Sequence, residues 1–292
     1  MISEDMPFTK KFADVKGKQI AYIDEGKGDP IVLIHGNPTS SFLWRNVIPE
    51  LTDFGRVIVP DLIGHGDSEK LNTDEWPEQY NLESAYSFVD GLLQQVNSDK
   101  NVTLVLHDWG SAIGFLWAMR HPKSVKGVAY MEAIVKPMEW TDWPETATGI
   151  FKGFRSEKGE DLILNRNLFI EAVLPGSIIR TLSNSEMDAY RAPYLKPTHR
   201  QPMLSWPRQI PLDGSPVNVV NLVKQYGTFM LNSQIPKLFI NADPGSILVG
   251  RPREFCRSWP NQKEITVTGL HFIQEDSPNE IGQAVANWIQ EI

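Results

Sequence analysis

Short apolar runs rich in β-branched residues recur along the chain, and helix-period segments lie between several of them. Six runs predict buried strands: residues 31–34, 56–59, 102–106, 125–131, 237–241 and 264–267. Between the second and third runs, apolar residues from Leu82 to Val96 recur at helical spacing. Strands that alternate with helices form a mostly parallel sheet covered on both faces. The chain is therefore predicted to have an α/β fold.

The two ends of the chain carry different signals. Residues 12–15 and 19–24 flank Lys16-Gly17 and predict an antiparallel hairpin at the edge of the sheet. Near the other end, Ser277 and Pro278 mark the start of the last helix. Glu280 follows Ser277 at the spacing of a capping box, so the pair is expected to cap that helix.

A long stretch without strand signal interrupts the alternating pattern between Lys136 and Pro216. It is rich in proline and aromatic residues, and structureless loops of this length are rare in compact domains. We therefore expect a helical insertion that forms a cap over the sheet, with a peripheral helical subdomain as the alternative. This divides the chain into a core domain of residues 1–135 and 217–292 and a helical cap domain of residues 136–216.

Charge and cysteine content limit the partners and the compartment. The 292 residues contain 28 Lys and Arg against 36 Asp and Glu, which gives a formal net charge of −8. A chain with this charge repels polyanions, so nucleic acid and anionic membranes are not expected partners. The single cysteine, Cys256, cannot form an intrachain disulfide, and no apolar run reaches the roughly 18 residues of a membrane span. A cytoplasmic protein is expected.

The third predicted strand ends in a pattern typical of a nucleophile elbow. His107-Asp108-Trp109-Gly110 joins this strand to a helix of small residues, and the central side chain is Asp108. No G-x-S-x-G occurs in the chain, which argues against an ordinary serine esterase or lipase. The position two before the nucleophile is commonly small but here is Leu106. The alternative is a strand-end aspartate that only caps the next helix.

An aspartate nucleophile implies a two-step reaction. An ionised carboxylate can displace a leaving group from saturated carbon to give an ester, which water then hydrolyses with the help of a general base. Of the six histidines, His271 lies just past the last predicted strand, where the hydrolase order of nucleophile, acid and histidine places the base. His107 adjoins Asp108 and is expected to point away from it.

Two further functions have candidates at the ends of strands. The acid that orients the histidine is either Glu132 or Asp243, and spacing alone leaves both open. Asn37 and the indole of Trp109 offer uncharged N–H donors, which suit a large, weakly basic anion such as a halide. Their main-chain N–H groups could hold the oxyanion of ester hydrolysis. Core packing for Trp109 and a turn role for Asn37 are the structural alternatives.

These motifs together resemble the haloalkane dehalogenases over nearly the whole chain. The segments that carry the resemblance are His35-Gly36-Asn37-Pro38-Thr39-Ser40-Ser41, Asp61-Leu62-Ile63-Gly64-His65-Gly66-Asp67-Ser68, His107-Asp108-Trp109-Gly110, Tyr130-Met131-Glu132-Ala133, Leu204-Ser205-Trp206-Pro207-Arg208 and Gly269-Leu270-His271-Phe272-Ile273-Gln274-Glu275-Asp276. The resemblance implies an α/β-hydrolase fold with an eight-stranded sheet and a helical cap. It also implies no cofactor and no metal.

The resemblance assigns a role to each polar residue. It implies that Asp108 is the nucleophile, His271 the base and Glu132 the acid, and that Asn37 and Trp109 bind the halide. The expected partners are a haloalkane, water and the halide product, and the expected assembly is a monomer or a homodimer. The resemblance also implies a substrate pocket whose walls and tunnels are lined by Trp143, Phe151, Phe169, Val173, Trp206, Pro207, Ile210 and Ile247.

Three other functions fit parts of the pattern. Epoxide hydrolases share the Asp-Trp elbow and use paired cap tyrosines, for which Tyr190 and Tyr194 are candidates here, but they resemble a pattern with an aromatic residue in place of Asn37. Coelenterazine luciferases are similar to this sequence and have the same five polar residues. A receptor that binds a small molecule without turnover is the non-enzyme alternative.

Overall fold

The computed structural model describes residues 2–71 and 79–292, which contain one eight-stranded sheet. Its strands are β1 Lys11–Val15, β2 Lys18–Gly26, β3 Pro30–Ile34, β4 Arg56–Pro60, β5 Val102–Asp108, β6 Val125–Ala133, β7 Lys237–Pro244 and β8 Gln262–Gly269. They lie in the order β1-β2-β4-β3-β5-β6-β7-β8. β2 is antiparallel to β1 and β4, and the other neighbouring strands are parallel. The predicted α/β class, the mostly parallel sheet and the edge hairpin are confirmed.

Helices cover both faces of this sheet. They are α1 Leu82–Gln95, α2 Trp109–Arg120, α3 Glu145–Phe154, α4 Leu174–Gly176, α5 Asn184–Arg191, α6 Gln201–Gln209, α7 Val217–Asn232, α8 Gly250–Arg257, α9 Ile273–Asp276 and α10 Pro278–Ile289. Alternate residues of β3 belong to two separate cores. Val32 and Ile34 share one with α1, α2 and α7, whereas Ile31 and Leu33 share the other with α10. Successive side chains of a strand point to opposite faces, so β3 is buried on both.

The stretch from 136 to 216 is helical, as expected. Besides α3 to α6 it contains π-helical turns at Glu160–Asn165 and Phe169–Val173, and its described strand contacts are isolated bridges between Met138, Leu212 and Ser215. Its buried aromatic side chains join the core that contains α1, α2 and α7. The insertion therefore packs against the rest of the chain, and its assignment as a separate cap domain stays a prediction.

The start of the last helix differs from the expectation. α10 begins at Pro278, but the predicted capping box is wrong, because the Ser277 side chain makes no cap hydrogen bond. The Ser277 hydroxyl instead donates to the main-chain carbonyl of Thr268 in β8, at 2.7 Å. A strand carbonyl within reach thus outcompetes the helix terminus for this hydroxyl.

None of the helices in residues 2–71 and 79–292 combines the length and the apolar character needed to cross a membrane.

Candidate active site

The turn between β5 and α2 holds Asp108 in a conformation that few residues adopt. Asp108 has φ 50° and ψ −130°, in a region that costs a non-glycine residue free energy. Two glycines make room for this turn. A Cβ atom on Gly36 would lie 2.0 Å from Asp108 Oδ1, and one on Gly110 would lie 2.2 Å from the carbonyl oxygen of Ile34. The predicted elbow is therefore present, with the aspartate side chain aimed at the cavity.

The Asp108 carboxylate is buried and ionised. Its Oδ1 accepts a hydrogen bond of 2.8 Å from the main-chain N–H of Asn37. Burial opposes ionisation, but the interaction with His271 and the main-chain N–H of Trp109 outweigh it and lower the pKa of Asp108. Because both main-chain N–H groups point at the carboxylate, they lie where an oxyanion would form on this side chain.

His271 lies just past β8, between two carboxylates. Its Nε2 is 3.4 Å from Oδ2 of Asp108, and its Nδ1 is 3.1 Å from Oε2 of Glu132. Burial disfavours the charged ring, yet the interactions with these two carboxylates raise the pKa of His271 to about 9. The geometry is that of a base held by an acid on one nitrogen and facing the nucleophile with the other.

The structure separates the two acids that spacing left open. Glu132 is buried, and its carboxylate also accepts hydrogen bonds from the main-chain N–H groups of Ser246, at 3.2 Å, and Ile247, at 2.8 Å. A φ of 40° at Glu132 turns the chain at the end of β6. Asp243 is exposed, and in the described chain it has no contact with His271. Of the two acids, Glu132 is the one whose carboxylate contacts the imidazole.

Asn37 and Trp109 bring two side-chain donors to the same cavity as Asp108. Both residues are buried, with exposed fractions of 4% and 2%, and both line the cavity. Among the described residues, neither Nδ2 of Asn37 nor Nε1 of Trp109 has a protein hydrogen-bond partner. Because both side chains line the cavity, these two N–H groups are available to an anion there.

Comparison with known proteins identifies the family. Residues 29–278 match the family described as the alpha/beta hydrolase fold. The chain is 54% identical to a haloalkane dehalogenase of Sphingobium indicum over 97% of this chain and 96% of the relative. It is 48% identical to a haloalkane dehalogenase of Mycolicibacterium smegmatis, over 97% and 91% of the two chains. The chain belongs to the haloalkane dehalogenase family.

A solved structure extends this relationship to three dimensions. The crystal structure of a haloalkane dehalogenase from Bradyrhizobium elkani superposes with a TM-score of 0.92 at 37% sequence identity, covering 97% of this chain and 98% of that one. The expected α/β-hydrolase fold is therefore that of the dehalogenase family.

The cavity of this dehalogenase has a volume of about 590 Å³ and lies between the insertion and the carboxyl ends of the strands. Seven of the eight predicted pocket residues line it: Trp143, Phe151, Phe169, Val173, Pro207, Ile210 and Ile247. Small residues that no sequence signal marked also line it, among them Ala172, Gly176 and Ser177. A largely apolar cavity of this size suits a small apolar substrate.

Trp206, predicted to line the pocket or its tunnels, is not among the described residues that line this cavity. Its ring packs on Trp109, with 4.6 Å between ring centroids, and its Nε1 donates a 3.0 Å hydrogen bond to Nε2 of His65. The Nδ1 of His65 contacts the hydroxyl of Tyr194. Trp206 therefore packs against the indole of Trp109. The motif shows an aromatic residue at this position but not whether its ring faces the cavity.

His107 contributes a contact that the sequence did not predict. It points away from Asp108, as expected, but its Nε2 donates a 2.8 Å hydrogen bond to the main-chain carbonyl of His271. Complete burial lowers the pKa of His107 to about 3, so the ring is neutral. Since the acceptor is a main-chain atom, no side-chain pattern could have indicated this contact.

Proposed function

We propose that this dehalogenase converts a haloalkane and water into a primary or secondary alcohol, a halide ion and a proton through an ester on Asp108. One observation supports this most directly. The ionised carboxylate of Asp108 lies between two unpaired N–H donors, from Asn37 and Trp109, and an imidazole that Glu132 orients. This arrangement supports a nucleophile, a site for the departing anion and a base for the second step within one cavity.

The first step displaces the halide. Oδ1 of Asp108 is held by the main-chain N–H of Asn37, so Oδ2 is the oxygen that attacks. A bond forms between Oδ2 and the substrate carbon as the carbon–halogen bond breaks, and the halide leaves with the bonding electron pair. The Asn37 amide and the Trp109 indole donate hydrogen bonds to it. Neither donor carries a positive charge, so the halide is stabilised by hydrogen bonds without forming an ion pair and can dissociate.

The second step hydrolyses the ester. Ester formation removes the negative charge of Asp108, and with it one of the interactions that raise the pKa of His271. His271 can then take a proton from water, whose oxygen bonds to the carboxyl carbon of Asp108. The main-chain N–H groups of Asn37 and Trp109 stabilise the oxyanion. When this tetrahedral intermediate collapses, the bond between the carboxyl carbon of Asp108 and Oδ2 breaks. The departing alkoxide takes the proton from His271 and leaves as the alcohol. The new carboxylic acid of Asp108 then ionises and releases one proton.

The arrangement of the tyrosines disfavours an epoxide hydrolase. In that class of enzyme, paired tyrosine hydroxyls have to face the cavity. Here the Tyr190 hydroxyl donates to Glu275 and the Tyr194 hydroxyl contacts His65. Neither tyrosine is among the described residues that line the cavity.

Halide and proton release from 1-bromobutane and 1,2-dibromoethane test the proposal. We expect turnover by the wild type, loss of halide release in Asp108→Asn, and one halide per enzyme without further turnover in His271→Phe. In ¹⁸O-labelled water, the alcohol of the first turnover should contain unlabelled oxygen from Asp108. Light emission with coelenterazine without halide release, or binding without turnover, would contradict the proposal.

The role of Glu132 has a matched control in Asp243, the other candidate. We expect Glu132→Gln to lower the rate of ester hydrolysis by roughly 10³-fold or more, because the imidazole loses the carboxylate that orients it. Asp243→Asn should retain the wild-type rate. The reverse result would assign the acid to Asp243.

We also propose that the enzyme acts in the cytoplasm as a monomer or a homodimer. The single cysteine is buried, which fits a compartment that does not support disulfides. Fractionation of the source cells and light scattering of the purified protein test these two statements.

A further inference from the structure

The main chain of the general base is held by the insertion that covers the cavity. The carbonyl oxygen of Ser177 accepts hydrogen bonds from the main-chain N–H groups of His271, at 3.1 Å, and Phe272, at 3.2 Å. Ser177 also lines the cavity. His271 is therefore fixed at three points: its ring Nδ1 by Glu132, its main-chain carbonyl by His107 and its main-chain N–H by Ser177.

A second set of contacts holds segment 177–180 against the residues that follow the base. The Asp276 carboxylate accepts hydrogen bonds from the main-chain N–H of Ile179, at 3.0 Å to Oδ1 and 3.1 Å to Oδ2, and from that of Arg180, at 3.0 Å to Oδ1. Asp276 ends α9, five residues after His271. Hydrogen bonds from N–H groups to a carboxylate are roughly twice as strong as neutral ones.

A buried ion cluster fixes the side chains around this contact. Arg45 donates to Glu275 at 2.6 Å and to Glu186 at 2.6 Å, and all three side chains are at most 1% exposed. Arg180 bonds to the same two glutamates, and its Nε donates to the Glu275 carbonyl. The cluster joins the insertion, through Arg180 and Glu186, to the core, through Arg45 and Glu275. Segment 177–180 is thus joined to residues 271–276, which contain the base and the residues that follow it.

We infer that segment 177–180 is a positioning element for His271, and that Asp276 is the positioning residue that keeps the Ser177 carbonyl in place. The element acts chiefly on the second step. Halide displacement needs the Asp108 carboxylate and the two N–H donors, and among the described residues none of these groups has a hydrogen bond to segment 177–180. Ester hydrolysis needs the imidazole within reach of a water at the ester, and a misplacement of about 1 Å can slow such a step up to 10²-fold. This inference rests on the proposed function.

The two steps are separable by kinetics. In a scheme with a covalent ester, kcat/KM contains only substrate binding and halide displacement, whereas slower hydrolysis lowers kcat and KM by the same factor. A variant that merely loosens the fold lowers kcat/KM as well. The value of kcat/KM in a variant therefore distinguishes a positioning role from a structural one.

The test compares three variants with the wild type on 1-bromobutane, by rapid quench and at steady state. Asp276→Ala removes all acceptors for Ile179 and Arg180, and we expect ester hydrolysis to slow roughly 10- to 100-fold while kcat/KM stays within about twofold. Asp276→Asn keeps one oxygen where Oδ1 accepts both N–H groups and should restore most of the hydrolysis rate. Asp188→Ala removes an exposed carboxylate of the insertion and should behave as wild type.

Each other outcome overturns the inference. A fall in kcat/KM that matches the fall in kcat, or an unchanged hydrolysis rate in Asp276→Ala, would leave Asp276 with a structural role only. Should Asp276→Ala not fold, Asp276→Ser provides the same ratio, and failure of both to fold would also assign Asp276 to the fold alone. Failure of the proposed function looks different, because the wild type itself would then release no halide.

Discussion

Replacing Asp108 with asparagine tests whether the charge of Asp108 controls the basicity of His271. Burial opposes a charged imidazole, and the interactions with Asp108 and Glu132 nonetheless raise its pKa to about 9. Asparagine has nearly the size of aspartate but no charge. The ester proposed to form during turnover is likewise uncharged. We therefore expect the pKa of His271 to be lower in Asp108→Asn than in the wild type.

The size of this effect follows from the distance between the two groups. At the 3.4 Å that separates His271 Nε2 from Asp108 Oδ2, opposite unit charges attract by about 5 kcal/mol at an effective dielectric constant of about 20. At about 1.4 kcal/mol per pKa unit, this corresponds to about three to four units. Water in the cavity screens part of the attraction, so we expect the pKa to fall by at least about two units.

Proton NMR of the imidazole Cε1–H across a pH titration measures this pKa, with His271→Phe identifying the resonance. Stability gives a second measure. A raised pKa stabilises the folded state below the ordinary value of 6.5, and this contribution is lost as pH rises through about 9. The wild type should therefore lose more unfolding free energy over this interval than Asp108→Asn. A His271 pKa that is the same in both proteins would refute the reasoning.

Three other substitutions have outcomes that the structure determines. Trp109→Phe keeps an aromatic ring but removes the indole N–H, so kcat/KM for 1-bromobutane should fall roughly 10- to 100-fold, with the thermal midpoint little changed. Gly36→Ala places a Cβ atom 2.0 Å from Asp108 Oδ1, so halide release should be lost even where circular dichroism shows a folded protein. Arg45→Met leaves buried Glu275 without one of its cations, so urea unfolding should show a loss of about 3 kcal/mol; a loss below 1 kcal/mol would contradict this.

Much of the fold and of the polar site followed from local sequence signals. The alternation of apolar runs and helical periods predicted the strands because β3 and β5 are buried on both faces, which requires apolar residues at consecutive positions. The turn at Asp108 was recognisable because it needs a glycine two residues later. A Cβ atom at position 110 would clash with the main chain of β3. Such features depend on neighbours in the sequence.

Features that depend on distant residues could not be predicted from the sequence. Glu132 and Asp243 end neighbouring parallel strands, and what separates them is the turn at Glu132 and the N–H groups that face its carboxylate. Trp206 is behind Trp109 rather than in the cavity because His65 holds its indole N–H. In the same way, the Ser277 hydroxyl bonds to a strand carbonyl instead of capping its own helix.

The residues of the site are far apart in the sequence, so the site should assemble late in folding. Asn37 contacts Asp108 across 71 residues, and Glu132 contacts His271 across 139. Closing loops of this length is entropically costly and slow, so helices can form long before these pairs meet. Recovery of turnover after dilution from denaturant should therefore lag behind recovery of helical circular dichroism, and a partly folded chain could carry full secondary structure while remaining catalytically silent.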